Sequence, residues 1–220
     1  MATPGRGPIS GTIVATVTGR GSVSPTGAVT VALQSNVTFT ITAGAWGRTD
    51  RVLLDGSSDI GAVASYTFTN VTADHTLEAF FTSDQTTNGT PYWWLAQSNP
   101  AWTNNFEALA TNDFDGDGMP TWMEWIAGTH PTNPASAFRI SIALTNGSQV
   151  VVSIPTTPAG SEYEGRSRSY SLVTTSNLTQ GAWFAIPGWT NLHGSGQTLH
   201  FTDTFGTNGM RVFRGWVQLE

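Results

Sequence analysis

Residues 37–42 read Val-Thr-Phe-Thr-Ile-Thr, a strict alternation of apolar and polar side chains. Successive side chains of a strand point to opposite faces, so a period of two describes a half-buried β-strand and is incompatible with a helix. The pattern recurs through the first third of the chain. Val29, Val31 and Leu33 alternate, Thr12–Thr18 is rich in β-branched residues, and Tyr66, Phe68, Leu77, Ala79 and Phe81 close the region. Asp55-Gly56, directly after Val52-Leu53-Leu54, is a tight-turn pair. From Phe138 the alternation returns: Ile140, Ile142 and Leu144, then Val150–Val152, Tyr170–Val173, Leu199–Phe201 and Val212–Val217. Asn146-Gly147 is a hairpin signal, and Gly160, Gly181, Gly188 and Gly194 punctuate the rest. Short strands at this spacing predict a small sandwich.

Between the two β regions the pattern breaks. Residues 83–91 (SDQTTNGTP) are polar and turn-rich and read as a linker. Residues 92–137 crowd together Tyr92, Trp93, Trp94, Trp102, Phe106, Trp122 and Trp125, with Phe106, Leu109 and Ala110 at helical spacing. The expected fold is therefore mostly β in three parts: a small β unit over 8–82, a short helical subdomain over 92–137, and a C-terminal β-sandwich over 138–218. Trp93, Trp94, Trp102, Trp122 and Trp125 are expected to pack the middle part, and Trp183 and Trp216 the sandwich core.

The middle part holds DFDGDGMPTWME, residues 113–124, which fits D-x-D-x-D-G-x5-E without a gap. Calcium takes six to eight hard oxygens, and this spacing supplies them from one tight loop. Asp113, Asp115 and Asp117 stand at positions 1, 3 and 5. Gly118 permits the bend, Met119 offers its carbonyl, Thr121 acts directly or through water, and Glu124 closes the sphere with two oxygens. Magnesium suits the loop less, because it prefers a tighter octahedron and keeps its waters. Pro120 has no N–H to pair with a second loop, which predicts a solitary site. A helix is expected over about Pro120–Ala127, stopped by Gly128. So short a helix does not stand alone in water. Calcium at one end and buried Trp122, Trp125 and Ile126 must hold it, and the ion is expected to clamp the junction of the two β parts.

The run DFDGDGMPTWMEWIAGTHPTNPAS resembles the calcium-binding thrombospondin type 3-like and dockerin-like repeats of secreted bacterial proteins. His130 stands where those repeats carry an aspartate, and no second repeat follows. Residues 11–82, through GRGSVSPTG, VTFTITA, VLLDG and GAVASYTFTNVTADHTLEAFF, resemble the divergent internalin B-type bacterial repeat. That resemblance implies a β-grasp-like or all-β unit without catalysis. SYSLVTTSNLTQGAWFAIPG and RVFRGWVQL are similar to β-sandwich modules that end large secreted proteins of the Planctomycetes–Verrucomicrobia type. Together the resemblances imply a secreted or surface location within a larger protein.

Composition excludes much chemistry. All nine basic residues are arginine and there is no cysteine. Schiff-base catalysis, a Walker phosphate loop, thiol nucleophiles and cysteine-bound zinc are therefore ruled out. A net charge of −6 without a basic run argues against nucleic acid. No apolar run approaches membrane-spanning length. His75, His130, His193 and His200 form no H-E-x-x-H, no G-x-S-x-G is present, and Glu162 and Glu164 sit between Gly160 and Gly165 in loop-like sequence. The chain reads as non-catalytic. Nine tryptophans invite a carbohydrate reading, since an indole face stacks on the C–H face of a sugar. Trp46 and Trp189 lie in turn-like contexts and are the expected stacking residues. The expected function is thus polysaccharide attachment by a calcium-stabilised accessory region. The alternative is a structural spacer or surface-sorting module that has no glycan ligand.

Overall fold

A computed structural model describes residues 9–145, 149–179, 181–204 and 210–220. The chain is mostly β and divides into two compact units, Met1–Gln97 and Ser98–Glu220. Among the described residues no helix is long and apolar enough to cross a membrane.

The first unit contains β1 (Ser10–Thr18), β2 (Gly21–Ser24), β3 (Gly27–Ala32), β4 (Val37–Ala43), β5 (Gly47–Leu54), β6 (Ser58–Asp59), β7 (Ser65–Phe68), β8 (His75–Ser83) and the helix α1 (Tyr92–Ser98). One sheet has the order β3-β1-β8-β5-β6 and the other β2-β4-β7. Among the described strand pairs of this unit only β1 and β8 run parallel. The alternation places Phe39 and Ile41 of β4 inward, against Ile13, Val52 and Leu77 from the larger sheet. Asp55 and Gly56 both take positive φ, +51° and +68°, at the centre of a turn closed by Ser57 N–H donating to Leu54 O at 3.2 Å, inside a three-residue loop between paired Leu54 and Ser58. Segment 83–91 is folded: Gln85 pairs with Pro91, and Thr86 and Thr90 are buried. In α1, Trp93 and Leu95 are buried, and the Arg20 guanidinium stacks 4.0 Å from the Trp93 ring.

The second unit contains α2 (Phe106–Thr111), α3 (Thr121–Ala127), β9 (Ser141–Leu144), β10 (Gln149–Pro155), a 3-10 turn (Ser161–Tyr163), β11 (Arg168–Thr175), β12 (Phe184–Ala185), β13 (Leu192–His193), β14 (Thr198–Thr204) and β15 (Val212–Leu219). One sheet has the order β14-β10-β9. In the other, β15 pairs with the whole length of β11, while β12 and β13 pair with shorter parts of it. Between them lie Val152, Ile154, Tyr170, Leu172 and Ile186, with Phe138, Trp189, Phe201 and Phe213 packed around. The antiparallel pairing of β9 with β10 agrees with a hairpin; its predicted turn, Asn146-Gly147, lies outside the described residues.

Of the side chains expected to be packed, Trp94, Trp122, Ile126, Trp183 and Trp216 are not fully buried. Trp216 is 50 % exposed, and Trp183 is half-buried beneath the Arg214 guanidinium. For Trp216 the cause is strand parity. Phe213 and Val217 of β15 face the core, so Arg214, Trp216 and Gln218 point to the opposite side.

Candidate metal centre

The loop between α2 and α3 folds around its own aspartates. Asp113 accepts hydrogen bonds from Gly116 N–H (2.8 Å) and Gly118 N–H (2.9 Å). Asp115 accepts from Asp117 N–H (3.2 Å), and Asp117 from Met119 N–H (2.7 Å). Gly116 and Gly118 take φ of +76° and +94°, a region open to glycine and strained for most side chains. These bonds turn the carboxylates inward. One oxygen from each of Asp113, Asp115 and Asp117 falls within 4.8 Å of the others.

Glu124 lies one helical turn into α3 and has no solvent exposure. Its Oε1 accepts a long bond from the Thr129 hydroxyl, 3.4 Å. Its Oε2, with Asp115 Oδ2 and Asp117 Oδ2, is buried without a hydrogen-bond partner among the described residues. Burial first, then repulsion from Asp115 and Asp117, pushes the Glu124 carboxyl up to about 8. No salt bridge among the described residues reaches this group. Arg139, the guanidinium seen at the loop, meets the Asp117 carbonyl oxygen at 3.4 Å. Burying an unpaired carboxylate costs several kcal/mol, and native interiors leave few polar atoms unpartnered. Three inward aspartates and an orphaned buried carboxylate oxygen therefore fit a bound cation, and the acidic triad could hold a metal ion.

The other expected ligands are placed as follows. Thr121 is fully buried, and its hydroxyl donates to Asn112 O at 2.9 Å. Met119 lies at the loop's exit, its sulfur accepting from Phe138 N–H at 3.3 Å. Pro120 precedes the first residue of α3. Gly128, at φ +75°, ends the helix with its N–H donating to Glu124 O at 2.7 Å, the glycine stop the sequence predicts.

Residues distant in sequence hold α3 in place. The Tyr163 ring stacks on Trp125, with centroids 4.1 Å apart, and its hydroxyl donates to Trp125 O at 3.1 Å. Arg168, fully buried, donates from Nε to Ile126 O and from Nη1 to Pro158 O, each at 2.7 Å. Its guanidinium also covers Tyr163 at 4.1 Å. A cation at the last carbonyls of a helix is favoured by the helix dipole as well as by the bond itself. Nothing local in the sequence marks Tyr163 or Arg168 for this role, because their partners lie about forty residues away.

The two expected sugar-stacking residues differ. Trp46 is 39 % exposed at a turn with φ +59°. Trp189 packs half-buried against the sandwich core, edge-on to Phe201 at 5.3 Å. Glu162 lies in the 3-10 turn beside buried Tyr163.

Comparison with protein-family models, with curated proteins and with solved structures returns no match.

Proposed function

We propose that this chain is a non-catalytic, calcium-stabilised accessory region of a secreted bacterial protein, and that it serves attachment to polysaccharide. The observation that carries the calcium reading is Glu124, a fully buried carboxylate with an orphaned oxygen, which lies outside the 4.8 Å aspartate triad but close enough to be repelled by its charges. A donor set made only of hard oxygens selects calcium over the softer transition metals. The spacing of positions 1, 3, 5 and 12 selects it over magnesium. Asp113, Asp115, Asp117 and Glu124 would supply carboxylate oxygens, the Met119 carbonyl a further one, and Thr121 a ligand through water. The ion neutralises half of four charges and fixes the start of α3. Extracellular modules bind calcium at about 10⁻⁴–10⁻³ M, a range consistent with a secreted location. Trp46, partly exposed, supports the polysaccharide reading.

Calorimetric melting of the 220-residue chain with calcium and with chelator tests the calcium role. At about a hundredfold excess over the dissociation constant, calcium stabilises the folded state by about 2.7 kcal/mol. Chelation is therefore expected to lower the melting temperature of the second unit by several degrees, and Asp113→Ala to abolish the response. A melting curve indifferent to chelator overturns the reading.

A further inference from the structure

The face that carries Trp216 holds an apolar cleft. Trp122, Met123 and Ile126 of α3 line one side of a cleft of about 530 Å³, and Arg214, Trp216 and Gln218 of β15 line the other. Ligand sites are typically concave and apolar with a few placed polar groups, and this cleft has that make-up. The Trp216 indole is 50 % exposed. Arg214 lies 4.2 Å over the Trp183 ring. Among the described residues no salt bridge takes up that charge. A guanidinium outside any salt bridge among the described residues, beside an exposed indole, suits a ligand that is ring-shaped and anionic.

We propose that this cleft binds an acidic polysaccharide, with a uronate ring stacked on Trp216 and its carboxylate held by Arg214. The indole offers a rigid surface to the sugar's C–H face at little entropic cost. Guanidinium matches carboxylate in a two-bond fork that a neutral sugar cannot use. Residues two apart on a strand are about 7 Å apart along its axis. The long arginine arm and a pyranose with its exocyclic carboxylate bridge that distance. Gln218, next on the same face, supplies amide hydrogen bonds to ring hydroxyls. The α3 wall of the cleft begins at the end of the aspartate loop, which ties this site to the proposed calcium clamp. The inference rests on the polysaccharide reading above and deepens it by naming the site and the charge of the sugar.

Titration calorimetry of the full chain in calcium-containing buffer tests it, with trigalacturonate, its methyl ester and neutral cellotriose as probes. These short probes do not gel with calcium. The free acid is expected to bind about tenfold more tightly than the ester, the worth of a charged hydrogen bond. Arg214→Gln brings the acid down to the level of the ester, Arg214→Lys restores part of the difference, and Trp216→Ala removes binding of both. Circular dichroism and calcium-dependent melting establish that each variant is folded. Equal affinity for acid and ester, or binding unmoved by Trp216→Ala, overturns the proposal. Binding of cellotriose alone overturns the uronate chemistry and leaves polysaccharide attachment standing. Absence of binding by any sugar, with the chelator response intact, overturns the cleft and leaves the calcium role. Self-association lost on Trp216→Ala, seen by sedimentation, replaces the sugar by a second copy.

Discussion

Between the two sheets of the first unit thirteen apolar side chains are buried among the described residues, from Ile13 to Phe81; in the sandwich of the second unit there are five, and Trp102, Phe106, Ala110, Trp125, Ala127 and Tyr163 are buried outside it. The second unit instead buries Glu124 and Arg168, and it leaves Ile142, Leu144 and Trp216 at least half exposed. Apolar burial is non-directional and scales with area, so the first unit is stabilised by volume filled. The second adds to its apolar burial a set of directional contacts: an arginine on two carbonyls, a tyrosine stacked on a tryptophan, and an acidic loop that could hold a cation. Such contacts depend on their partners, and removing one leaves another buried group unsatisfied. The two units should therefore respond oppositely to perturbation of core and of charge.

The largest expected effect lies in the first unit. Leu77 is wholly buried at the centre of its core. Leu77→Ala should cost about 4 kcal/mol through lost transfer and cavity terms. That loss should fall on a melting transition that chelator does not move. If chelator and Leu77→Ala shift the same transition, the units do not melt independently and the contrast collapses.

Glu124→Gln comes next, and its sign discriminates. Without metal, the raised carboxyl of Glu124 stabilises the fold fully below its ordinary value of 4.5 and loses that contribution as pH rises through about 8. Replacing it by a neutral amide should raise metal-free stability at neutral pH by on the order of 2 kcal/mol. The same change should remove most of the gain from calcium. Melting of both proteins in chelator at acid and neutral pH measures this, with the advantage of glutamine present only at neutral pH. A destabilised metal-free Glu124→Gln protein would show that the carboxylate is satisfied without a cation.

What the sequence made legible follows from range. Strand alternation, the Asp55-Gly56 turn, the aspartate loop and the Gly128 stop are each written within about a dozen residues. The mostly-β fold and the acidic cluster follow from them. Helix α1 was not visible as a period, although Pro91 ahead of it is a helix-start signal, and Leu95 N–H bonds to Pro91 O at 3.2 Å. Residue type alone places Trp216 in the core. The parity of Phe213 and Val217 against Arg214 and Gln218 was the better guide. Tyr163 and Arg168 are beyond local reading, because their role exists only once the 3-10 turn and β11 have met α3.

The smallest effect tests that last meeting. Tyr163 is buried, and burial raises its hydroxyl above the ordinary tyrosine value of 10.0, against the opposing pull of Arg168. The neutral hydroxyl is the form that donates to Trp125 O. The stabilisation from the raised value is fully present below pH 10 and is lost as pH rises through the folded-state value. Tyr163→Phe keeps the stacked ring and removes only the donor, so it should cost the second unit about 1 kcal/mol at neutral pH. The variant should also lose part of the alkaline destabilisation, since phenylalanine has no proton to release. Melting of both proteins at neutral pH and above pH 10 reads the two effects together. An identical alkaline loss in both would place the sensitive group elsewhere. A cost confined to the chelator-sensitive transition would show that the aromatic stack and the metal loop stabilise one and the same helix.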